Sequence, residues 1–211
     1  MLSVKQSLHI GHLINFYQTL FTVPKKSFRE ILSLRKYFSP LKTLYLIRHA
    51  KSSWNIPSLS DVDRSLNERG YNDAHEMAKR LCKKIQSSNP DSPKGIIVAS
   101  PAIRAMSTAL IFARTFDIDP SHIQMHNLLY DTSSKHYRSV ISSLQDEHAT
   151  AFLFGHNPVI TETANLLGGT ELVDMATAGI VGIEFDALTW KQAVELGGKM
   201  IFYDFPRNGG T

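Results

Sequence analysis

The sequence predicts an α/β fold, a three-layer α/β/α sandwich with a mostly parallel central sheet. From Leu41 onward, short apolar runs rich in β-branched and aromatic residues alternate with helical patterns. This alternation is typical of parallel strands joined by helices that cover both faces of the sheet. Neither a repeat nor a second shift in composition follows residue 41. One domain is therefore expected over residues 41–211.

Local patterning predicts the individual elements. Apolar residues spaced three and four apart, from Ala74 to Ile85, form one face of a helix over residues 72–87. Three further helical patterns are 102–116, 134–144 and 158–167. The predicted strands are 43–47, 95–99, 149–154, 179–185 and 199–205.

The single cysteine of this 211-residue chain, Cys82, excludes a disulfide within the chain. Its helical surroundings predict a small, partly buried apolar side chain rather than a zinc ligand or a redox centre. The reducing cytoplasm is therefore the predicted location. The composition, with 43% hydrophobic and 20% charged residues, is typical of a globular protein.

Basic residues are concentrated at the amino terminus. Residues 1–40 hold six Lys or Arg and one acid, Glu30, whereas residues 41–211 hold 17 basic and 18 acidic residues. The body is therefore near neutral, and it lacks the basic stripe with interleaved aromatic residues that is typical of nucleic-acid binding. No apolar run approaches the roughly 18 to 20 residues needed to span a bilayer. Neither nucleic acid nor a membrane is an expected partner.

Residues 1–40 are predicted to be an amino-terminal extension of the domain, and its nature has several interpretations. A secretory signal fits poorly, because polar residues such as His12 and Asn15 interrupt the apolar stretch. An organellar transit peptide fits the basic, acid-poor composition better. We favour a third interpretation, in which Leu41 is the native first residue, read from a non-standard start codon, and the upstream residues are translated non-coding sequence. A genuine accessory helix or arm is the remaining alternative.

Three predicted strands end in residues that suit one chemistry. The first strand runs into Arg48-His49-Ala50, the second is followed by Ser100-Pro101-Ala102-Ile103-Arg104, and the third ends in Gly155-His156-Asn157-Pro158. In open α/β sheets, ligands bind at the carboxyl ends of the strands. We therefore expect these two arginines and two histidines to meet at one edge of the sheet.

Two arginines and two histidines suit phosphoryl transfer. Guanidinium groups bind phosphate oxygens through charge-assisted hydrogen bonds. A neutral imidazole is a nucleophile towards phosphorus, and nearby arginines lower its pKa by repulsion between like charges. A second histidine can donate to the phosphoryl oxygens as negative charge builds up. This scheme needs neither a metal nor another cofactor. Each motif alone is common in turns and helix caps, so it is their combination at three strand ends that favours catalysis.

These motifs resemble those of the histidine phosphatase superfamily, which has the phosphoglycerate mutase-like fold, and of its SixA-like branch in particular. The matching segments are 44–54, 61–70, 100–109 and 155–158, with a similar closing pattern at 177–185 and at Trp190. The resemblance covers residues 41–206. It implies that His49 is the nucleophile that becomes phosphorylated, without a metal. It also implies that Arg48, Arg104 and His156 form the phosphate pocket.

The general acid is left open by this resemblance. Mutase-type relatives carry a glutamate after a middle strand, where this chain reads Leu-Leu-Tyr-Asp at 128–131, so Asp131 is one candidate. We favour Asp61, which matches the acid of the Asp-x-x-Arg-x-Leu segment of the SixA-like branch. The alternative for Asp61 is a helix or turn cap. Alanine at position 50, where glycine is usual, is a change that the SixA-like branch accommodates.

Other polar residues near the motifs carry weaker expectations. Ser100 is expected either to orient His49 or to cap the helix that follows it. His122 and His126 are four residues apart, a spacing that could chelate a metal on a helix, but a strand-like pattern and missing partners favour surface positions.

The sequence therefore predicts an enzyme, a metal-independent histidine phosphatase acting on phosphoric monoesters or phosphoramidates. The expected substrate is a phosphohistidine on another protein, because the short body offers no insertion between the first two strands or after the third that could cover a small metabolite. The alternatives are a small-molecule phosphomonoesterase or mutase on the same fold, and a module that binds phosphorylated partners without turnover. The oligomeric state is not predicted.

Overall fold

The computed structural model describes residues 42–88, 95–130 and 133–207, and their centre is a six-stranded sheet. The strands are β1 (Lys42–Arg48), β2 (Ile96–Ala99), β3 (Gln124–Met125), β4 (Thr150–Gly155), β5 (Ile180–Phe185) and β6 (Lys199–Asp204). Their order across the sheet is β3-β2-β4-β1-β5-β6. Neighbouring strands from β3 to β1 are parallel, and β5 runs antiparallel to both β1 and β6. The predicted mostly parallel sheet is confirmed.

Five α-helices accompany the sheet within the described residues. They are α1 (Glu68–Ser88), α2 (Ile103–Thr115), α3 (Ser134–Ser142), α4 (Val159–Gly168) and α5 (Trp190–Leu196). Three short 3-10 turns occur at Asp61–Asp63, Pro120–His122 and Asn127–Leu129. Helix α1 begins four residues earlier than predicted, because the side chain of Asn67 accepts a hydrogen bond from the amide of Gly70 at 2.8 Å and caps the first turn.

The helices form a layer on each face of the sheet, as the alternation of β1 requires. Leu44 and Leu46 point to one side and pack in a core with α3, α4 and α5. Tyr45 and Ile47 point to the other side and pack in a second core with α1 and α2. Each such fully buried aliphatic side chain contributes about 1.5–3 kcal/mol relative to an exposed one. The three-layer α/β/α sandwich is therefore confirmed.

Some sequence-based expectations lie outside the described residues. They include the predicted extension over residues 1–40 and the candidate acid Asp131. The half-buried thiol of Cys82 lies 3.8 Å from the carbonyl oxygen of Thr115, consistent with its predicted place on a helix. In the part of the chain that is described, no helix is both long and apolar enough to cross a membrane.

Candidate functional site

The carboxyl ends of β1, β4 and β2 bring the three motifs together. In the parallel register, Arg48 of β1 lies opposite Gly155 of β4, and Ala99 of β2 lies opposite Phe154. The residues that follow these strands therefore emerge side by side at one edge of the sheet. The structure places Arg48, His49, Arg104 and His156 there, as the spacing of the motifs predicts.

His49 is held by its backbone and by one ring nitrogen. Its amide donates to the carbonyl of Gly155 at 3.0 Å, and its carbonyl accepts from the amide of Ala178 at 3.2 Å. Its Nδ1 lies 2.7 Å from the carbonyl oxygen of Ala50. Because a carbonyl can only accept, Nδ1 carries the hydrogen and Nε2 carries the lone pair of the neutral ring. That Nε2 faces Nε of Arg104 at 3.3 Å.

Arg104 lies in the first turn of α2, and only 5% of it is exposed. Its Nε is directed at His49, and its terminal nitrogens donate to Asp61, one to the main-chain oxygen at 2.5 Å and one to Oδ2 at 2.7 Å. The second of these nitrogens also lies 3.4 Å from Nδ1 of His156. This guanidinium group therefore sits between both histidines.

Arg48 approaches the site from the end of β1. One of its terminal nitrogens donates to the carbonyl of Met175 and to Oδ2 of Asp174, the latter at 3.2 Å. The side chain of Asn157 donates to the same Asp174 and Met175. Within the described residues, the buried Nε of Arg48 has no hydrogen-bond partner. A buried donor without a protein partner is available to an anionic ligand.

His156 is held by contacts with two hydroxyl groups. Its Nε2 lies 2.7 Å from Oγ of the fully buried Ser100, and its amide donates to the hydroxyl of Tyr137 at 3.0 Å. The hydroxyl of Tyr137 in turn donates to the carbonyl of Leu129 at 2.8 Å. The rings of His156 and His49 are 4.9 Å apart between centroids.

Glycine at position 155 makes this arrangement possible. A Cβ atom at Gly155 would lie 2.1 Å from the hydroxyl oxygen of Tyr137. The backbone of β4 can therefore approach the tyrosine closely only because residue 155 has no side chain.

Both histidines are neutral at neutral pH. Burial is the main cause that lowers the pKa of His49 from 6.5 to about 4; its hydrogen bond to Ala50 acts the other way, and the nearby arginine charges, Arg104 first, lower it further. Burial also lowers the pKa of His156, to about 3, followed by the effects of His49 and Arg104. A neutral His49 has the lone pair that a nucleophile needs.

Asp61 lies beside this cluster and is tied to three side chains. Its Oδ2 accepts from Arg104 and from the hydroxyl of Tyr130, the latter at 2.8 Å. Its Oδ1 accepts from Nε of Arg64 at 3.0 Å and from a terminal nitrogen of the same residue at 2.5 Å. The ring of the largely exposed Trp54 lies 3.7 Å from the guanidinium carbon of Arg64. Contacts thus join four of the five sequence-predicted site residues, His49, Arg104, His156 and Asp61. Arg48 directly precedes His49 at the end of β1 and contacts Asp174 and Met175.

Some residues of the cluster were not predicted, and one was assigned the wrong partner. Ser100 contacts His156 and not His49; its expected capping role is met only by a long contact, 3.4 Å, from the amide of Ala102. Tyr130 and Asp174 were missed because they are distant in sequence from the residues they bind, and the sequence carries no signal for them. Arg64 had a signal, its three-residue spacing from Asp61.

Metal binding is not indicated by the side chains in the described ranges. No group of three or more His, Cys, Asp or Glu residues there could hold a metal ion. His122 is exposed, and Nδ1 of the half-buried His126 accepts from the amide of Leu128. The expectation of a metal-independent reaction stays a prediction.

Comparisons with known sequences add to this geometry. Residues 44–133 match the sequence profile of the histidine phosphatase superfamily, branch 1. An Arabidopsis thaliana protein described as uncharacterized and chloroplastic is 28% identical over 166 residues, which cover 74% of this chain and 72% of that protein.

Solved structures with the same fold include three described as SixA. A candidate phosphohistidine phosphatase SixA from Agrobacterium tumefaciens is 26% identical, with a TM-score of 0.62, and the match covers 78% of this chain and 97% of that one. The protein histidine phosphatase SixA solved with tungstate is 18% identical, with a TM-score of 0.63, covering 79% and 98% of the two chains. At the latter identity the likeness concerns the fold alone.

Proposed function

We propose that this chain, whose residues 44–133 match the histidine phosphatase superfamily and which resembles the SixA-like branch, removes the phosphoryl group of a phosphohistidine carried by another protein. His49 accepts the phosphoryl group first, and water accepts it second. The observation that carries the proposal is the lone pair on Nε2 of His49, which faces Arg104 where two arginines and a second histidine converge.

The first step forms a bond between phosphorus and Nε2 of His49. The attack is in line with the bond from phosphorus to the substrate nitrogen, which breaks as its electron pair passes to the leaving imidazole. The leaving ring carries a proton from solvent on its other nitrogen, so it departs as a neutral imidazole. In the second step, water attacks the phosphorus and releases a proton to solvent, the electron pair of the bond to phosphorus returns to Nε2, and inorganic phosphate leaves. The hydrogen bond from Nδ1 to the carbonyl of Ala50 keeps Nε2 as the reacting atom throughout.

Two arginine side chains are placed to hold the phosphoryl oxygens, and His156 contacts one of them. Arg48 offers its buried Nε, and Arg104 lies between the two histidines. A terminal nitrogen of Arg104, which can only donate, faces Nδ1 of His156, so Nδ1 accepts, the ring hydrogen lies on Nε2, and Nε2 donates to Oγ of Ser100. Donors fixed in advance around the phosphoryl group stabilise the charge that develops in the transition state.

A protein substrate is supported by the surface beside the site. The segment from 53 to 60 carries no charged residue. Within it, Trp54 is 70% exposed, Ile56 59% and Leu59 39%. Trp54 stacks on Arg64, which binds Asp61, so this segment adjoins the reacting groups. Exposed apolar side chains next to a site favour contact with another protein surface. The similarity to the Agrobacterium protein points to the same substrate class.

The test is the transfer of a labelled phosphoryl group from a histidine-phosphorylated protein to this chain. The wild-type chain should release inorganic phosphate and carry an acid-labile phosphate during turnover. His49→Asn, which keeps the donor to Ala50, should lose at least about a thousandfold in kcat and carry no label. Equal turnover by this variant would refute His49 as nucleophile.

The same assay separates the alternative functions. A small-molecule phosphomonoesterase would turn over a sugar phosphate faster than the phosphorylated protein. A module that only binds phosphorylated partners would bind the protein but neither release phosphate nor become labelled. Either result would overturn the proposed substrate or the proposed reaction.

The location that we propose is the cytoplasm, based on a chain with one cysteine. The chloroplastic description of the Arabidopsis relative favours the organellar interpretation of residues 1–40 instead. Cell fractionation together with mass spectrometry of the native amino terminus distinguishes them. Recovery of the protein in an organelle would refute the cytoplasmic location.

A further inference from the structure

Both carboxylate oxygens of Asp61 are occupied by hydrogen bonds, which is unlike a residue that donates a proton to a substrate. Both carboxylate oxygens accept hydrogen bonds, Oδ2 from Arg104 at 2.7 Å and from Tyr130 at 2.8 Å, and Oδ1 twice from Arg64. In each of these contacts the partner donates the hydrogen, and the two arginines can only donate. An acid that protonates a leaving group must carry a hydrogen on one oxygen and direct it at the substrate. Neither oxygen of Asp61 is available for this.

The charge state of Asp61 agrees with its contacts. Partial burial would raise the pKa of this carboxyl, but hydrogen bonds from Tyr130, Arg64 and Arg104 outweigh that effect and hold the pKa well below its ordinary value. Asp61 is therefore ionised at neutral pH.

The contacts of Asp61 instead determine the orientation of Arg104. Asp61 accepts two hydrogen bonds from the guanidinium group of Arg104, one at its carboxylate and one at its main-chain oxygen at 2.5 Å. With both terminal nitrogens held in this way, the remaining Nε is directed at Nε2 of His49. Arg64 and Tyr130 also donate to this carboxylate, so the position of the carboxylate is fixed.

We infer that Asp61 is a positioning residue that orients Arg104 towards the nucleophile, and not the general acid of the reaction. The inference rests on the proposed function of the site. It also narrows the substrate class. Without a proton from Asp61, departure is easiest for groups that need little help from a protein acid, such as the imidazole of phosphohistidine and activated phenols. Alkyl phosphates, including sugar phosphates, are poor substrates for the same reason.

A series of leaving groups tests this role. The substrates are phosphoramidate and aryl phosphates whose phenols cover a wide range of pKa, and the variants are Asp61→Ala and Asp61→Asn. A positioning role predicts that Asp61→Ala lowers kcat by about 10 to 100-fold for every substrate. The slope of log kcat against the pKa of the leaving group then stays as in the wild type. Asp61→Asn should recover part of the loss, since its amide oxygen still accepts from Arg104.

A proton donor predicts a different pattern. Both variants would lose most activity on the poorest leaving groups and little on phosphoramidate, so the slope would become steeper, and Asp61→Asn would recover nothing. That result overturns the inference.

Two controls keep the outcome specific. Asp63→Ala removes an exposed carboxylate from the same 3-10 turn, where Asp63 accepts from the hydroxyl of Ser60, and it should leave kcat unchanged. The melting temperature of each variant shows whether a loss of kcat reflects unfolding. The proposed function fails if His49→Asn retains turnover. The inference fails if His49 is essential and either the slope changes or Asp61→Ala leaves kcat unchanged.

Discussion

Acidification should destabilise the fold through His49 and His156. Both rings are neutral in the folded protein, since their pKa values lie at about 4 and about 3, against 6.5 for an ordinary histidine. Between those values and 6.5, the unfolded chain binds more protons than the folded one. The free energy of unfolding therefore falls as the pH falls through this window.

The magnitude follows from the two pKa values. At about pH 5, an ordinary histidine is almost fully protonated, whereas His49 and His156 are still mostly neutral. The difference costs about 2 kcal/mol for each ring relative to about pH 8, or about 4 kcal/mol for the pair. Because neither ring is charged at this pH, coupling between them adds little.

Urea unfolding of the wild type and two variants at these two pH values measures the effect. His49→Asn keeps the donor to Ala50, and His156→Gln places an amide near Ser100. In each variant, the decrease in the free energy of unfolding between the two pH values should be about 2 kcal/mol smaller than in the wild type. His75→Asn, at an exposed position of α1, is the matched control and should remove none. If both site variants lose as much stability on acidification as the wild type, the rings are not buried in the neutral form.

Three further perturbations have expected outcomes. Ser100→Ala removes the partner of Nε2 of His156 and should lower kcat by about tenfold or more; an unchanged kcat in single-turnover kinetics would contradict this. Ile56→Ser combined with Leu59→Ser should leave turnover of phosphoramidate unchanged and raise KM for a phosphorylated protein; equal effects on both substrates would exclude a docking role for the 53–60 segment. Gly155→Ala should destabilise the protein by about 3 kcal/mol, because the new Cβ overlaps the hydroxyl of Tyr137; a change below about 0.5 kcal/mol in urea unfolding would show that β4 can shift.

The long elements of the fold could be predicted from the sequence because each has a strong local pattern. The five predicted strands correspond to β1, β2, β4, β5 and β6, with ends shifted by one residue, as hydrogen bonding to neighbours decides where a strand stops. Strand β3 was missed because it has two residues, both exposed, and pairs only with β2. Helix α5 was missed because seven residues are too few for a periodic pattern.

The candidate site was predictable to the extent that its residues follow strands. Arg48, His49 and His156 directly succeed β1 and β4, and the parallel register brings such positions together. Asp61 was assigned to the site, but its contacts with Arg104 and Tyr130, which favour a positioning role, come from parts of the chain 43 and 69 residues away. No local pattern predicts contacts of that range.

By itself the sequence determined that this chain forms an α/β sandwich, because strand and helix patterns are local properties. It also determined which histidine and arginines gather at the edge of the sheet, because parallel pairing brings the carboxyl ends of the strands to the same edge. Only the tertiary structure decided what each of those side chains binds. Ser100 meets His156 rather than His49, because β2 pairs with β4 and not with β1. Likewise, three donors, Arg64, Arg104 and Tyr130, keep Asp61 ionised. Their charge and geometry oppose the role of proton donor that the motif suggested for Asp61.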